Sequence, residues 1–203
     1  MKLINSVGPN PKMVRMFISE MGISVDTQDI DLMQGDNRQA EHLARNPSGQ
    51  TPTLELDDGG YVSEITAICE YLADKQGGSA LIGETPEERA ETRMWARRLD
   101  LQILEPLANG FRFSEGLALF QDRVRCMPQA ADDLKTLTQE RITWLAGQIA
   151  GKEFICGSRF SMADILLFSF LEFGESVGQP MNTDNGNIMA WYDRVKGRAS
   201  AAA

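Results

Sequence analysis

The sequence is poor in the residues that build metal centres and disulfide frameworks. Its 203 residues include three cysteines and a single histidine, His42. The cysteines, Cys69, Cys126 and Cys156, lie far apart, so neither a CxxC pair nor a Cys/His spacing typical of a metal site occurs. We therefore expect free thiols, no metal, and a reduced, cytoplasmic environment.

Basic charge and long apolar runs are also scarce. The chain has 20 Lys and Arg against 29 Asp and Glu, a formal net charge of −9. Binding to a nucleic-acid backbone or to an anionic membrane surface depends on Lys and Arg, so this balance argues against both partners. The longest apolar stretch, residues 165–173, contains Ser169 and Glu172 and is too short to span a bilayer. The N-terminus lacks a signal-peptide pattern.

The order of predicted elements indicates two domains. Residues 2–7 predict a buried strand, and Pro11 suits the first position of the helix that follows. Partial alternation over residues 23–32 predicts a second strand, which completes a βαβ unit. After a hairpin and another helix, only helical patterns occur. We therefore predict an α/β domain over residues 1–77 and an all-helical domain over residues 86–203.

The hairpin region has the features of a small binding site. Two short strand-like runs, residues 53–56 and 61–63, flank an Asp-Gly pair, which is a strong hairpin signal. Pro52 stands before the first run, and Glu64 stands where the second run gives way to a helix. Helix N-termini present unpaired N–H groups and partial positive charge. The segment could hold a small polar ligand between its backbone and this helix start.

Four local patterns resemble the cytosolic glutathione transferase family, and together they cover nearly the whole chain. Residues 41–52 are similar to the family's run that ends in its cis-proline, and residues 63–68 resemble the helix start that binds the γ-glutamyl end. Residues 160–164 resemble the capping box of the helical domain. Residues 35–38 resemble a Gly-Glu-His-Lys run of phi-class and some fungal and bacterial members. The resemblance implies a thioredoxin-like α/β N-terminal domain, an all-α C-terminal domain, a homodimer and a glutathione site.

The resemblance also implies which residues bind glutathione. Thr51 would lend its backbone groups to the cysteinyl part, with Thr51-Pro52 a cis peptide. Glu64 and the N–H of Ile65 would meet the γ-glutamyl end, although Glu64 alone could also be a carboxylate favoured at a helix N-terminus. Ile65 replaces the family's common serine and loses a hydroxyl contact worth roughly 0.5–1.5 kcal/mol. The positions that match contacts to the glycine end are Asn37, Arg38 and Gln50.

The hydroxyl or thiol that usually faces the glutathione sulfur is missing from its expected place. Gly8 stands where serine-type members have their hydroxyl, with Ser6 two residues before it and Asn10 two residues after it. Donors aimed at sulfur lower the pKa of a thiol. Asn10 could donate its amide to the sulfur, together with N–H groups of the helix at Pro11. Alternatively, Asn10 forms an Asx turn or a helix cap.

A second candidate region follows Pro106 and Gly110, which end or bend the first long helix. By the resemblance, this region faces the pocket for the second substrate, and Arg112 or Ser114 could replace the missing hydroxyl. The alternative is a solvated arginine among core aromatic residues. The candidate catalytic residues are therefore Asn10, Ser6, Arg112 and Ser114, and the candidate pocket residues here are Phe111 and Phe113.

The resemblance predicts a glutathione transferase that conjugates glutathione to small apolar electrophiles in detoxification. Glutathione would be a co-substrate, and no bound cofactor is expected. Arg93, Arg97 and Arg98 on the first long helix could meet acidic residues across the two-fold axis of the homodimer. Two alternatives remain: a glutathione-dependent peroxidase or disulfide-bond reductase, and a non-catalytic binding protein with the transferase fold. Gly8 and Ile65 keep the second alternative open.

Overall fold

The computed structural model describes all residues from 1 to 203, and its first part alternates strands and helices. The strands are β1 (Lys2–Asn5), β2 (Asp26–Asp29), β3 (Thr53–Glu55) and β4 (Tyr61–Val62). The helices among them are α1 (Pro9–Met21), α2 (Ala40–Arg45) and α3 (Ile65–Lys75), with a 3₁₀ turn at Asp36–Arg38. The rest is helical: α4 (Pro86–Leu99), a π-helical turn (Asp100–Leu104), α5 (Glu105–Arg112), α6 (Leu117–Phe120), α7 (Ala131–Gln148), α8 (Met162–Ser176) and α9 (Gly186–Lys196), with 3₁₀ turns at Pro128–Ala130 and Ala199–Ala202.

The four strands form one mixed sheet in the order β2-β1-β3-β4. β1 is parallel to β2 and antiparallel to β3, where Leu3 lies opposite Leu54. β3 and β4 form the predicted hairpin, and the N–H of Leu56 donates to the carbonyl of Gly60 across its turn at 2.8 Å. Leu3, Ile4 and Leu54 are fully buried because β1 and β3 are the central strands. β1 therefore ends, and the antiparallel β3 begins, inside the molecule and close to the start of α1.

Helix α1 begins two residues earlier than the sequence predicts. Pro9, not Pro11, is its first residue, and Gly8 precedes it with a φ of 112°. The first N–H groups of a helix have no partner within it, so this turn tolerates both prolines. Gly8 adopts a backbone conformation that favours glycine, which accounts for glycine where a hydroxyl residue was sought. The first strand accordingly ends at Asn5, and Ser6 and Val7 belong to the turn.

A capping box starts the helical half, as predicted. The hydroxyl of Thr85 accepts from the N–H of Glu88 at 3.1 Å, and the Glu88 carboxylate accepts from the N–H of Glu84 at 2.8 Å and of Thr85 at 3.4 Å. Helix α4 then widens into the π-helical turn, where the N–H of Glu105 donates to Asp100, five residues earlier. Pro106 follows directly and has no N–H to continue the regular α-helical pattern. The π-helical turn therefore separates α4 from α5.

Asp164 ties three parts of the helical half together from a fully buried position. It lies in the first turn of α8, and its carboxylate accepts from the N–H and hydroxyl of Ser161, both at 2.9 Å. It also accepts from the N–H of Ile155 at 2.9 Å and from the indole N–H of Trp191 on α9 at 2.8 Å. Burial raises the pKa of Asp164, and these hydrogen bonds oppose that rise. Asp164 is therefore a structural carboxylate, as its place in the predicted capping sequence indicates.

The sheet half and the helical half share one hydrophobic core. Buried residues of α1, such as Met13 and Phe17, belong to the same cluster as Phe168 on α8. At the rim of this contact, Lys12 forms an ion pair with Glu172. The domain boundaries at residues 77 and 86 stay a prediction. None of the helices combines the length and the apolar character needed to cross a bilayer.

Candidate active site

A cavity of about 250 Å³ opens between the two halves. Its floor comes from the segment before β3 and from the starts of α1 and α3, and its far wall comes from the π-helical turn, α5 and α8. Seven of the residues predicted for the site line it: Asn10, Gln50, Thr51, Pro52, Glu64, Ile65 and Arg112. Residues separated by about a hundred positions thus meet in one cleft, although none of the individual motifs specifies this.

The Thr51-Pro52 segment presents a free backbone donor to this cavity. The Thr51-Pro52 peptide is cis, which confirms the prediction. The N–H of Thr51 makes no hydrogen bond within the chain, since it precedes β3 and pairs with no neighbouring strand. The hydroxyl of Thr51 lies 2.5 Å from that of Ser6. Ser6 is buried and does not line the cavity, so its hydroxyl contacts the Thr51-Pro52 segment on the side away from the cavity.

Glu64 stands at the N-terminus of α3 in a strained conformation. Its φ is 68° and its ψ is 116°, and it is the only residue other than glycine with positive φ. Such conformations cluster at functional sites. The carbonyl of Glu64 caps α3 by accepting from Ile68 at 2.9 Å, while its carboxylate is exposed and makes no bond within the chain. The first N–H groups of α3, on Ile65 and Thr66, are also unpaired. The start of α3 can therefore bind a group with a positive and a negative charge, the positive one at the Glu64 carboxylate and the negative one at these N–H groups.

Two carboxylates that the motifs did not single out complete the opposite wall. Asp100 and Glu105 lie on the π-helical turn and at the start of α5, and both line the cavity. Burial raises the pKa of Asp100; Arg97 opposes this rise, whereas the negative charges of Glu105 and Glu64 add to it. Carboxylates at this corner favour a cationic group between them. They were missed because only the π-helical turn brings them opposite Glu64, and no local pattern encodes that turn.

The far end of the cavity is apolar apart from Arg112. Its lining there comes from the end of the π-helical turn, from α5 and from α8, and consists of Leu104, Ala108, Leu166 and Phe170. The guanidinium of Arg112 donates to the side chain of Asn109 at 2.9 Å and lies 3.8 Å from Glu105, and it stacks over the ring of Phe120. These contacts hold Arg112 at the cavity instead of leaving it solvated.

The other residues predicted on this stretch point elsewhere. The Ser114 hydroxyl lies 2.5 Å from the carbonyl oxygen of Gly110 and in contact with the Glu115 carboxylate, so its one hydrogen is shared between these two acceptors. Phe113 is buried, and Phe111 packs edge-on against Phe173 with ring centroids 5.1 Å apart. None of the three lines the cavity. Their proposed contacts with substrate stay predictions.

Asn10 does not have one of its two predicted structural roles, that of helix cap. Gly8 occupies the cap position of α1 instead. Pro9 and Pro11 have no N–H, and the N–H of Lys12 donates to Gly8 at 3.2 Å. The first turn of α1 therefore offers one unpaired N–H, that of Asn10, and the Asn10 side chain lies beside it at the cavity.

Asn37 and Arg38 lie outside the cavity lining and contact the loop behind it. The Asn37 amide donates to the carbonyl of Gly49 at 2.7 Å, and Arg38 donates to that of Ser48 at 3.4 Å. Gly49 has a φ of 63°, and a Cβ there would lie 2.7 Å from the Arg38 guanidinium. The two side chains thus brace residues 48–49, and their direct contact with a ligand stays a prediction.

Comparisons with known proteins find similar sequences along most of the chain. The family model described as glutathione S-transferase, N-terminal domain, matches residues 7–75, and that described as glutathione S-transferase, C-terminal domain, matches residues 127–199. Glutathione S-transferase 2 of Saccharomyces cerevisiae is 32% identical over 200 residues, which cover 95% of this chain and 84% of the relative. Glutathione S-transferase F10 of Arabidopsis thaliana is 30% identical over 192 residues, which cover 89% of this chain and 85% of the relative.

A solved structure shows the same fold over the whole chain. The crystal structure of Gtt2 from Saccharomyces cerevisiae superposes with a TM-score of 0.93 at 29% sequence identity, covering 100% of this chain and 99% of that one. A glutathione S-transferase domain-containing protein from Marinobacter aquaeolei superposes with a TM-score of 0.92 at 32% identity, covering 98% and 99% of the two chains.

Proposed function

The chain belongs to the glutathione S-transferase family, and on that premise we propose that it conjugates glutathione to small, apolar electrophiles. Glutathione is the co-substrate and supplies the nucleophilic sulfur, so the reaction needs no bound cofactor and no catalytic cysteine. The protein supplies proximity and a lowered thiol pKa. Removal of reactive electrophiles, and so detoxification, is the role that this chemistry serves.

One observation carries the glutathione assignment: free groups of two separate parts of the chain, the segment before β3 and the start of α3, converge on the cavity with the right chemistry for one tripeptide. The N–H of Thr51 suits the carbonyl of the cysteinyl part. The Glu64 carboxylate suits the α-amino group, and the N–H groups of Ile65 and Thr66 suit the α-carboxylate at the same end. Gln50, which lines the cavity, is the candidate to contact the glycine end, and Asn37 and Arg38 are the further candidates.

The sulfur then lies near the start of α1, where Asn10 is the leading candidate to stabilise the thiolate. Asn10 offers both its backbone N–H and its side-chain amide, and no other unpaired donor stands in the first turn. Arg112 reaches the cavity from the opposite side and is the second candidate. Ser6 and Ser114 have hydroxyls that are already engaged, so they rank below both.

The experiment is a titration of bound glutathione by ultraviolet difference absorbance, which reports the thiolate. The wild-type protein is compared with Asn10→Ala, Arg112→Ala, Ser6→Ala and Ser114→Ala. We expect the thiol pKa to rise most in Asn10→Ala, less in Arg112→Ala, and little in the two serine variants. A rise confined to Arg112→Ala or Ser114→Ala would move the catalytic assignment to the helical half.

A non-catalytic binding protein is the second candidate, and one observation favours it. The hydroxyls of Ser6 and Thr51 lie against each other, so neither is free to face the sulfur. Glutathione binding without any thiolate signal at neutral pH would select this alternative. A thiol-dependent reductase is disfavoured, because none of the three cysteines lines the cavity and burial raises the pKa of Cys69 and of Cys156.

The assembly we propose is a homodimer in a reducing cytoplasmic environment, without nucleic-acid or membrane partners. Exposed apolar residues occur on α4 and just after it, at Met94 and Leu101, where a second subunit would cover them. Arg93 is already bonded to Glu70 of the same chain at 2.7 Å. Apolar contact, more than the predicted arginine pairs, would therefore hold the subunits together. Sedimentation at micromolar concentration tests this proposal, and a monomer would overturn it.

A further inference from the structure

The only histidine of the chain is buried next to the proposed site without lining it. His42 lies on α2 and is 3% exposed. Its Nε2 lies 2.9 Å from the carbonyl oxygen of Gln50. A carbonyl oxygen only accepts hydrogen bonds, so Nε2 carries the hydrogen and donates it. Its Nδ1 is buried and has no partner. An apolar side chain at position 42 would leave no buried polar atom unpaired. The advantage of histidine over such a side chain is therefore its hydrogen bond to the Gln50 carbonyl.

The carbonyl of Gln50 is held from two sides. Besides His42, the side-chain amide of Asn46 donates to it at 3.0 Å. The preceding carbonyl, that of Gly49, accepts from Asn37 at 2.7 Å. Consecutive peptide units before Thr51 are thus fixed by buried side chains instead of by strand partners. This is needed because the segment ends just before β3 and belongs to no regular element.

Fixing this carbonyl also fixes the direction of the Thr51 N–H. The C=O and N–H of one trans peptide unit point in opposite directions, and the Gln50-Thr51 peptide is trans. With its carbonyl turned towards His42, this unit turns its N–H away from α2. That N–H has no partner in the chain, and Thr51 lines the cavity.

We propose that His42 is a positioning residue for glutathione, acting through the Gln50-Thr51 peptide. Its Nε2–H holds the peptide in the orientation that presents the Thr51 N–H to the cysteinyl part of the ligand. This inference rests on the proposed function, which assigns that N–H to glutathione. Without the His42 bond, only the Asn46 amide holds this carbonyl, so the peptide plane turns more freely. An orientation that presents the carbonyl to the ligand repels the group that the N–H attracts.

The test compares two side chains of similar length at this position. His42→Gln keeps an amide donor that can reach the Gln50 carbonyl, whereas His42→Met fills the space without a donor. Gln179→Met is the matched control, since Gln179 is buried in the helical half and its amide donates to the carbonyl of Leu107 at 3.2 Å. For each protein, calorimetry gives the Kd for glutathione, steady-state kinetics give KM for both substrates, and thermal unfolding gives the midpoint.

We expect His42→Met to raise the Kd and KM for glutathione by roughly threefold to tenfold, the effect of losing one hydrogen bond, while KM for the electrophile stays unchanged. His42→Gln should bind within about twofold of the wild type, because its donor restores the bond. Gln179→Met should lose thermal stability without a change in either KM. His42→Leu serves as the donor-free variant if His42→Met does not fold.

Two outcomes separate the inference from the function on which it rests. If the wild type binds glutathione and the donor-free variant binds it equally well, the positioning role is overturned while the proposed function stands. The same holds if His42→Gln is as impaired as His42→Met, because size and not the donor would then matter. If the wild-type protein itself does not bind glutathione, the proposed function fails, and the inference fails with it.

Discussion

Glu64 combines a strained backbone with an unpaired carboxylate, and two substitutions separate these properties. Both Glu64→Ala and Glu64→Gly remove the carboxylate, but only alanine keeps a Cβ at a φ of 68°. A residue held in a sparsely populated conformation is destabilised by about 1–3 kcal/mol, and the ψ of 116° lies outside the left-handed helical region. We take about 2 kcal/mol for this strain. Glycine removes this strain, but its greater conformational entropy in the unfolded chain lowers the stability of the folded protein by about 0.7 kcal/mol.

A protein with alanine at a given position is usually more stable than one with glycine there. At position 64 we expect the opposite order in the free energy of unfolding. We expect Glu64→Gly to be more stable than Glu64→Ala by about 1 kcal/mol. Glutathione binding should fall equally in both, because both lose the same charge-assisted hydrogen bond. Such a bond is worth about 1.5–3 kcal/mol, which corresponds to a roughly 10- to 100-fold rise in Kd.

Urea unfolding gives the stabilities, and calorimetry gives the Kd for glutathione. Glu140→Ala is the control, since Glu140 is exposed on α7 and makes no bond in the chain; it should change neither quantity. If Glu64→Gly is no more stable than Glu64→Ala, the strain assigned to this residue is wrong. If both variants bind glutathione as well as the wild type, Glu64 is only a residue favoured at a helix start.

Three further predictions concern the frame around the site. Asp164→Ala should lower the free energy of unfolding by at least about 4 kcal/mol, because four buried donors lose their acceptor at roughly 1–3 kcal/mol each, yet leave the glutathione Kd of the folded protein unchanged; a clearly smaller loss in urea unfolding would contradict this. The hydrogen bond from Arg198 lowers the pKa of Glu20, so its stabilisation is present above the ordinary pKa of 4.5 and is lost as the pH falls through the lowered value. Between about pH 5 and about pH 3 the wild type should therefore lose more stability than Glu20→Gln, and equal losses in acid unfolding curves would refute the assignment. Gly49→Ala should lose about 1 kcal/mol in urea unfolding because of its φ of 63° and the nearby Arg38 guanidinium; no loss would show that the loop adjusts.

Features that depend on neighbours in the chain were predictable. The hairpin of β3 and β4 follows from strand-like runs around an Asp-Gly turn, and the starts of α4 and α8 follow from Thr85 and Ser161 with an acidic residue three positions later. Each of these signals acts through bonds within a few residues, so the sequence carries it directly. The start of α1 was misplaced by two residues because two prolines and a glycine compete there, and only the backbone conformation of Gly8 decides between them.

Contacts between distant segments could not be derived in this way. Ser6 was a catalytic candidate by proximity to Gly8, but its hydroxyl lies against that of Thr51 and is buried. His42 attracted no functional interpretation, because a lone histidine beside Arg45 gives no pattern. Its role emerges only when α2 folds back onto the segment before β3 and brings its ring to the Gln50 carbonyl.

The sequence by itself determined the succession of strands and helices and the family resemblance, and it predicted seven of the residues that line the cleft, because these rest on short-range patterns of polarity, turn residues and helix caps. The tertiary structure alone decided what faces them. The π-helical turn places Asp100 and Glu105 opposite Glu64, and the packing of α1 against α8 closes the cavity. Such placement follows from how a whole core packs, since side chains a hundred residues apart meet only when the complete set of helices and strands is in place.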